Sequence, residues 1–433
     1  MMLALTGYLM VFLFMYLIMS KKMPTLIALM IIPVLFAVFT GHASEMGHMA
    51  LEGIKDLAPT GIMLLFAILY FGIMIDAGLF DPIVTRILKA VKGDPAKIVM
   101  GTAVLALVVS LDGDGTTSYM ITVSAFLPLY RRLNMNPLIL PGITVMSVSL
   151  TNMVPWGGPT ARAAAALGVD AGDVFVPLIP SMIGGAVWIL FTAFWLGRRE
   201  RKRLGVIPLD EKGIKNLQKE SSPEGDTSLK RPKLLWANAI LTVLLLIGLI
   251  KGIMPLPVLF MLAFSLAVMI NYPDPEQQKE RLASHAGNAL AVVSLVFAAG
   301  IFTGILSGTK MVDAMASSLI SIIPDSWGPA FHLIIAVTSI PFTFFMSNDA
   351  YYFGVVPILA EAAASYGYSA VEIARASLLG QPVHLLSPLV PATYLLVGMS
   401  KVDFGEFQRF TILWAIGTAM ATIITALATK VIF

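Results

Sequence analysis

The stretch Ser110–Tyr119, "SLDGDGTTSY", puts two aspartates and two glycines between the apolar runs "KIVMGTAVLALVV" (97–109) and "MITVSAFLPLY" (120–130). A charged side chain at the centre of a bilayer costs roughly 2.5–3.5 kcal/mol on insertion scales. Each apolar arm is only about a dozen residues, which at about 1.5 Å per residue falls short of a hydrocarbon core some 30 Å thick. The region 97–130 therefore reads as a re-entrant hairpin with its polar tip at membrane depth. The alternative is a pair of crossings joined by an ordinary Asp-Gly turn.

The rest of the chain makes membrane depth the right frame. Of 433 residues, 57% are hydrophobic and 13% charged, and the mean hydropathy is +0.84. So little polar surface defines an all-α polytopic membrane protein. There is no cysteine, which excludes disulfides, thiolate metal sites and cysteine nucleophiles. The N-terminus, "MMLALTGYLMVFLFMYLIMSKK", lacks a basic residue before its apolar run and a small-residue cleavage site, so it reads as the first crossing.

Apolar runs predict about ten transmembrane helices, near 3–20, 24–40, 58–78, 138–166, 174–196, 234–250, 255–271, 288–307, 371–398 and 408–430. A second hairpin is expected over 329–365, with the tip "FMSNDAYYFG" (345–354). Two of the spans contain helix breakers, "TNMVPWGGPTAR" (151–162) and "GQPVHLLSPLVPAT" (380–393). Lys21, Lys22, Arg86, Lys89, Lys92, Lys97, Arg131, Arg132 and "GRRERKRLG" (197–205) fall on one side of this arrangement, which the positive-inside rule makes cytoplasmic. Glu45, Glu52, Asp56, Asp170 and Asp173 fall in loops on the other side, and both termini face outward.

Residues 197–233 form a polar cytoplasmic linker between halves 1–196 and 234–433. The halves align. "FGIMIDAGLFD" (71–81) matches "TGILSGTKMVD" (303–313) at a shift of 232, and "VPWGGPTARAAAALGVDAGD" (154–173) matches "SPLVPATYLLVGMSKVDFGE" (387–406) at 233. Thr160 meets Thr393, and Asp170-x-Gly172-Asp173 meets Asp403-x-Gly405-Glu406. Repeats of opposite orientation with interrupted helices mark secondary transporters, whose sites lie at the midplane between broken helices.

Irregular backbone at that depth persists only where it lines a cavity or is buried in protein. The two tips and two breaks are therefore the candidate site. Asp112, Asp114 and Thr116 on the first tip, with Asp349 on the second, are candidates for a hard cation or a proton. Ser347, Asn348, Asn152, Thr160 and Arg162 offer hydroxyl, amide and guanidinium groups to a carboxylate substrate. Arg162 has a second reading, as a side chain reaching for the outer surface. His384 is a second proton candidate or a hydrogen-bonded core histidine, and Thr393 joins the set as the partner of Thr160. No phosphate-binding Gly-Lys-Ser/Thr loop, His-Glu-x-x-His or serine-triad spacing occurs, so ATP drive and enzyme chemistry have no motif here.

"SLDGDGTTSYMITVSAFLPLY" (110–130), "TNMVPWGGPTARA" (151–163) and "MSNDAYYFGVVPIL" (346–359) resemble the citrate–metal–proton symporters of the ion transporter superfamily over essentially the whole chain. The resemblance implies proton-driven symport of citrate complexed with a divalent cation such as Mg²⁺ or Ca²⁺. It also implies a homodimer in the plasma membrane with a scaffold part and an elevator-like transport part. Membrane lipid is the only other partner implied: there is no resident cofactor, no catalytic residue and no nucleic acid. In the sodium-coupled relatives each tip bears Ser-Asn-Thr. Here Ser347 and Asn348 match while Asp349 replaces Thr, and the first tip departs entirely. Gly157, Gly158, Pro159 and Thr160 carry over from the Gly-Gly-Pro-Thr break as substrate-site residues. The alternatives are a transporter of another organic or inorganic anion or a sodium/proton antiporter on the same scaffold, and, from a different class, a membrane enzyme or channel.

Overall fold

The computed structural model describes residues 2–91, 93–206, 227–321 and 325–432, and among these every regular element is helical. First come α1 (Met2–Met19), α2 (Thr25–Phe39), α3 (Met46–Asp76), α4 (Asp81–Val91), α5 (Pro95–Val109), α6 (Gly115–Arg132), α7 (Ile139–Thr151), α8 (Gly158–Leu167) and α9 (Ala171–Leu204). Then follow α10 (Leu235–Lys251), α11 (Leu256–Asn271), α12 (Pro275–Gly308), α13 (Met311–Ile320) and α14 (Phe331–Phe345). A π-helical segment, Ala350–Val355, leads into α15 (Val356–Ala364). The chain ends with α16 (Ala370–Leu378), α17 (Gln381–His384), α18 (Pro391–Ser400) and α19 (Phe404–Ala428).

Among the described residues, eight helices are long and apolar enough to cross a membrane. Six lie in expected crossings: α1, α3, α9, α10, α12 and α19. The other two are the first arms of the hairpins, Pro95–Asp112 and Ser326–Phe345, of 18 and 20 residues. The arms are thus longer than the dozen residues expected, which corrects the length argument for re-entry: the first arm of each hairpin is long enough to cross. Two things lengthen that of the first hairpin: the Asp94 carboxylate accepts from Ala96 N–H and Pro95 follows, so the helix starts ahead of Lys97, and a 3₁₀ turn carries it on through Asp112. The expected crossings 24–40 and 255–271 appear as the shorter α2 and α11, of 15 and 16 residues.

Helices α3 and α12 run to 31 and 34 residues, well before the expected starts at 58 and 288. Hydropathy falls at Glu52, Lys55 and Asp56, and again at Glu276 and Lys279, but Glu and Lys are good helix formers. Glu52 and Asp56, expected in a loop, therefore lie on α3. The two long helices pack along each other, and at their crossing a Cβ on Gly53 would sit 2.0 Å from the carbonyl oxygen of Gly300. Small residues are what permits such close approach in lipid. Likewise α9 continues to Leu204, into the expected linker, where Arg203 pairs with Glu200 at 2.6 Å. Residues 207–226 of that linker, and Lys92, lie outside the described residues.

Both interrupted helices break where proline and glycine predict. Residues 152–157 separate α7 from α8, and 385–390 separate α17 from α18. Proline sits in the first turn of α8 (Pro159) and of α18 (Pro391), where its missing N–H costs nothing. The shift of 233 that aligns the sequences also relates α8 to α18, both of 10 residues, and the starts of α9 and α19. Asp170 and Asp403, matched in the alignment, both cap those last helices through their side chains.

Buried apolar residues fall into two clusters. One joins α1, α2, α3, α10, α11 and α12; the other joins the hairpins, α7, α9, α16 and α19. Helix α8 lies between them: Ala161 and Ala164–Ala166 belong to the first cluster and Ala163 to the second. The second half of each broken helix also reaches across the chain. Helix α8 packs on the π-helical segment and α15 of the second hairpin, while α18 packs on α6 of the first.

Candidate functional site

At the first tip, α5 tightens into a 3₁₀ turn, Ser110–Asp112, and the chain reverses at Gly113, whose φ of 81° is left-handed and suits glycine. The two aspartates then take different roles. Asp114 is the N-cap of α6: its oxygens accept from the N–H groups of Thr116 and Thr117, each at 3.1 Å, and from the Thr117 hydroxyl. It is exposed, as is Thr116. Asp112 is buried. Its Oδ1 accepts from the Asp114 N–H at 2.9 Å and the Ser118 hydroxyl at 3.4 Å, while its Oδ2 is buried with no hydrogen-bond partner.

The first break lies between the two tips. Trp156 donates its indole N–H to the Leu111 carbonyl at 2.9 Å, and its ring packs on Phe71 and Phe260 of the α3 cluster. Asn152 Oδ1 accepts from the Gly158 N–H at 3.3 Å. The Thr160 hydroxyl is buried and donates to the Met153 carbonyl at 2.8 Å. Arg162 Nη1 donates to the Gly158 carbonyl at 3.0 Å, and Nε donates to Asp349 Oδ1 on the second tip at 2.6 Å. The guanidinium is thus turned inward onto an acid 187 residues away rather than out to the surface.

At the second tip, the Ser347 hydroxyl accepts from the Ala350 N–H at 3.1 Å, making Ser347 the cap of the second arm. Asn348 Oδ1 accepts from Gln381 Nε2 at 3.0 Å, and the same nitrogen donates to the Tyr352 hydroxyl at 2.8 Å. His384 is buried, with Nδ1 donating to the Thr343 carbonyl at 2.6 Å. Thr393, also buried, donates its hydroxyl to the Leu385 carbonyl, as Thr160 does at the first break.

The structure brings Asn152, Gly158, Arg162, Ser347, Asn348 and Asp349 together as half-buried groups where the first break meets the second tip. Gly157 and Pro159, beside these in the chain, are buried. Thr160, Thr393 and His384 instead stand in the packed interior with their polar atoms engaged on backbone. Sequence reasoning missed Gln381, Tyr352 and Trp156. A lone glutamine beside Pro382 in an apolar run was the available signal for the first. Among the described residues no three His, Asp or Glu side chains form a group that could hold a metal ion by themselves. Such a surface can hold a ligand carrying both carboxylate and cationic character, but presents no activated nucleophile for it.

The profile of the citrate transporter family matches residues 14–380. A "Citrate transporter" of Bacillus subtilis (strain 168) is 60% identical over 431 residues, covering 100% of both chains. The "Mg(2+)/citrate complex secondary transporter" of the same strain is 51% identical over 436 residues, covering 99% of this chain and 100% of that one. In fold, the crystal structure of the Alcanivorax borkumensis YdaH transporter, described as having an unusual topology, is similar at a TM-score of 0.56 and 12% identity, covering 89% of this chain and 88% of that one. The chain is therefore a multi-pass plasma-membrane transporter and belongs to the citrate transporter family.

Proposed function

We propose that the protein carries citrate complexed with a divalent cation into the cell by proton symport. The observation that carries this reading is the Arg162–Asp349 pair, with side chains 23% and 15% exposed, beside Asn152, Ser347 and Asn348. A cation and an anion next to amide and hydroxyl groups suit a ligand that bears carboxylates and a metal. Free citrate would meet the acid as well as the base. Chelation removes two negative charges and presents a cation to Asp349. The name of the Mg²⁺/citrate relative supports the same cargo.

Asp112 is the proposed proton carrier. An ionised carboxylate with a buried, unpartnered oxygen is costly, and a bound proton removes its charge. Each net positive charge moved inward gains roughly 2.3 kcal/mol per 100 mV of inside-negative potential. Four further features belong to the proposal: halves of opposite orientation, tips that re-enter the membrane, a cytoplasmic central linker and a homodimer. Matched element order and the shift of 233 support the repeat, and the basic run at the end of α9 supports the sidedness. The two apolar clusters support a division into scaffold and moving part.

The test is uptake of radiolabelled citrate by proteoliposomes across a panel of divalent cations, with and without a proton gradient. Accumulation should require a divalent ion and collapse with a protonophore. Uptake that survives chelation of all divalent ions would remove the metal from the cargo. Accumulation untouched by a protonophore would remove the proton.

A further inference from the structure

We infer that Asp349 holds the place on Arg162 that a carboxylate of the cargo takes, and that the acid, once displaced, turns to the cargo's cation. The inference rests on the metal–carboxylate cargo proposed above and assigns the residues that discriminate the complex from the free anion.

Three observations carry it. The first is geometry. Asp349 meets Arg162 through one short contact, Nε to Oδ1 at 2.6 Å, while Nη1 is held by the Gly158 carbonyl at 3.0 Å. A guanidinium anchored by backbone on one nitrogen and by an acid on another is already posed for a carboxylate. The second is access: both side chains are half-buried, so a ligand reaches them, yet water screens them only in part.

The third is the repeat. The shift of 233 aligns Ser347 with Asp114, each the cap of its hairpin's second arm. In that register Arg162 corresponds to Leu395 and Asp349 to Thr116. Helix α18 packs on α6 with no charge pair at those positions, so the cross-packing of break on hairpin does not depend on one. The pair is an addition to one of two matching junctions, and it lies at the junction that also presents Asn152 and Asn348.

Discrimination follows from exchange. A ligand carboxylate on Arg162 replaces one acid by another, leaving the guanidinium paired. The Asp349 carboxylate is then unpaired beside an anionic ligand, which is unfavourable unless the ligand brings a cation. Metal-free citrate displaces the acid without compensating it. The metal complex compensates it directly.

The experiment uses the purified full-length chain and reads thermal stabilisation by citrate with Mg²⁺, citrate with EDTA, and Mg²⁺ alone. In the wild type, apparent affinity with Mg²⁺ should exceed that with EDTA by about tenfold or more. Asp349→Asn should cut that ratio to below about threefold by strengthening binding of free citrate, and Arg162→Gln should lose both ligands. The exchanged variant Arg162→Asp/Asp349→Arg restores a pair and should fold yet bind neither ligand. Asp349→Asn with the wild-type ratio, or metal–citrate binding by the exchanged variant, would show the pair to be structural and overturn the inference. If Asp349→Asn fails to fold, the exchanged variant decides alone. A wild type stabilised equally with Mg²⁺ and EDTA defeats the cargo reading itself, which is a different failure from an unchanged ratio in Asp349→Asn.

Discussion

His384 and Thr343 are joined by a hydrogen bond of 2.6 Å from imidazole Nδ1 to a backbone carbonyl, which ties the second break to the second hairpin. At a shift of 233 their counterparts are Thr151 and Ser110, whose hydroxyls meet between the first break and the first hairpin. The same joint is made twice with different chemistry. A buried ring that donates to backbone fits the first of the two readings the sequence left open, a hydrogen-bonded core histidine or a proton carrier.

A core histidine and a proton carrier respond differently to substitution. His384→Gln keeps an N–H donor and should retain proton-driven citrate uptake within severalfold. His384→Ala leaves the Thr343 carbonyl without its donor, which costs about 1–3 kcal/mol and lowers the unfolding midpoint. Loss of proton-driven uptake in His384→Gln, at unchanged stability, would return His384 to the proton path.

The two aspartates of the first tip should separate in the same way. Asp114 is a helix cap, and Asn caps almost as well, so Asp114→Asn should leave uptake and stability near wild type. Asp114→Ala should lose about 0.5–2 kcal/mol of stability. Asp112→Asn should fold at least as well as the wild type, because it removes a buried acid with an unpartnered oxygen. Its concentrative uptake should vanish while citrate exchange across the membrane persists. Unchanged accumulation in proteoliposomes would clear Asp112 of the role.

Much of this was legible in the sequence, and the reasons differ by feature. The breaks were legible because proline and glycine act locally: Pro159 and Pro391 fix the starts of α8 and α18 wherever they lie. The tips were legible as chain reversals because polar residues and glycine interrupt an apolar run there, and Gly113 takes the left-handed turn. Helix ends were less so. Hydropathy reports the lipid-facing length, while Glu52, Lys55 and Asp56 continue α3 beyond it. The short α4, carrying Asp81, Arg86 and Lys89, left no apolar run to read, and α13, apolar but only 10 residues long, was too short to mark a crossing. The partner of Arg162 was illegible for another reason. Both residues were singled out, but a contact across 187 residues depends on which half-helix packs on which hairpin, and no local pattern encodes that.

Thr160 and Thr393 entered the candidate set as substrate contacts, and their surroundings predict otherwise. Each hydroxyl is buried on a carbonyl of its own break. Thr160→Val and Thr393→Val should each lower stability by about 1–2 kcal/mol. Neither should change the ratio of uptake with and without divalent ions. A selective loss of citrate affinity at unchanged stability would put these hydroxyls back on the substrate.

Adjacent glycines in the first break should fail differently. A Cβ on Gly157 would lie 1.9 Å from the Asn152 carbonyl oxygen, and backbone in a closed turn cannot retreat that far. Gly157→Ala should therefore cost about 3 kcal/mol or more and appear as lost expression or aggregation in detergent. A Cβ on Gly158 would meet only Arg162 Nη1, at 3.0 Å. That contact is the end of a flexible side chain, so Gly158→Ala should fold. It should nonetheless push the guanidinium off the Gly158 carbonyl and away from its pose toward Asp349. The expected result is a protein of near-normal stability with weakened binding of metal–citrate, measured by thermal shift against ligand concentration. Wild-type affinity in a folded Gly158→Ala protein would mean that the pose of Arg162 does not matter to the cargo.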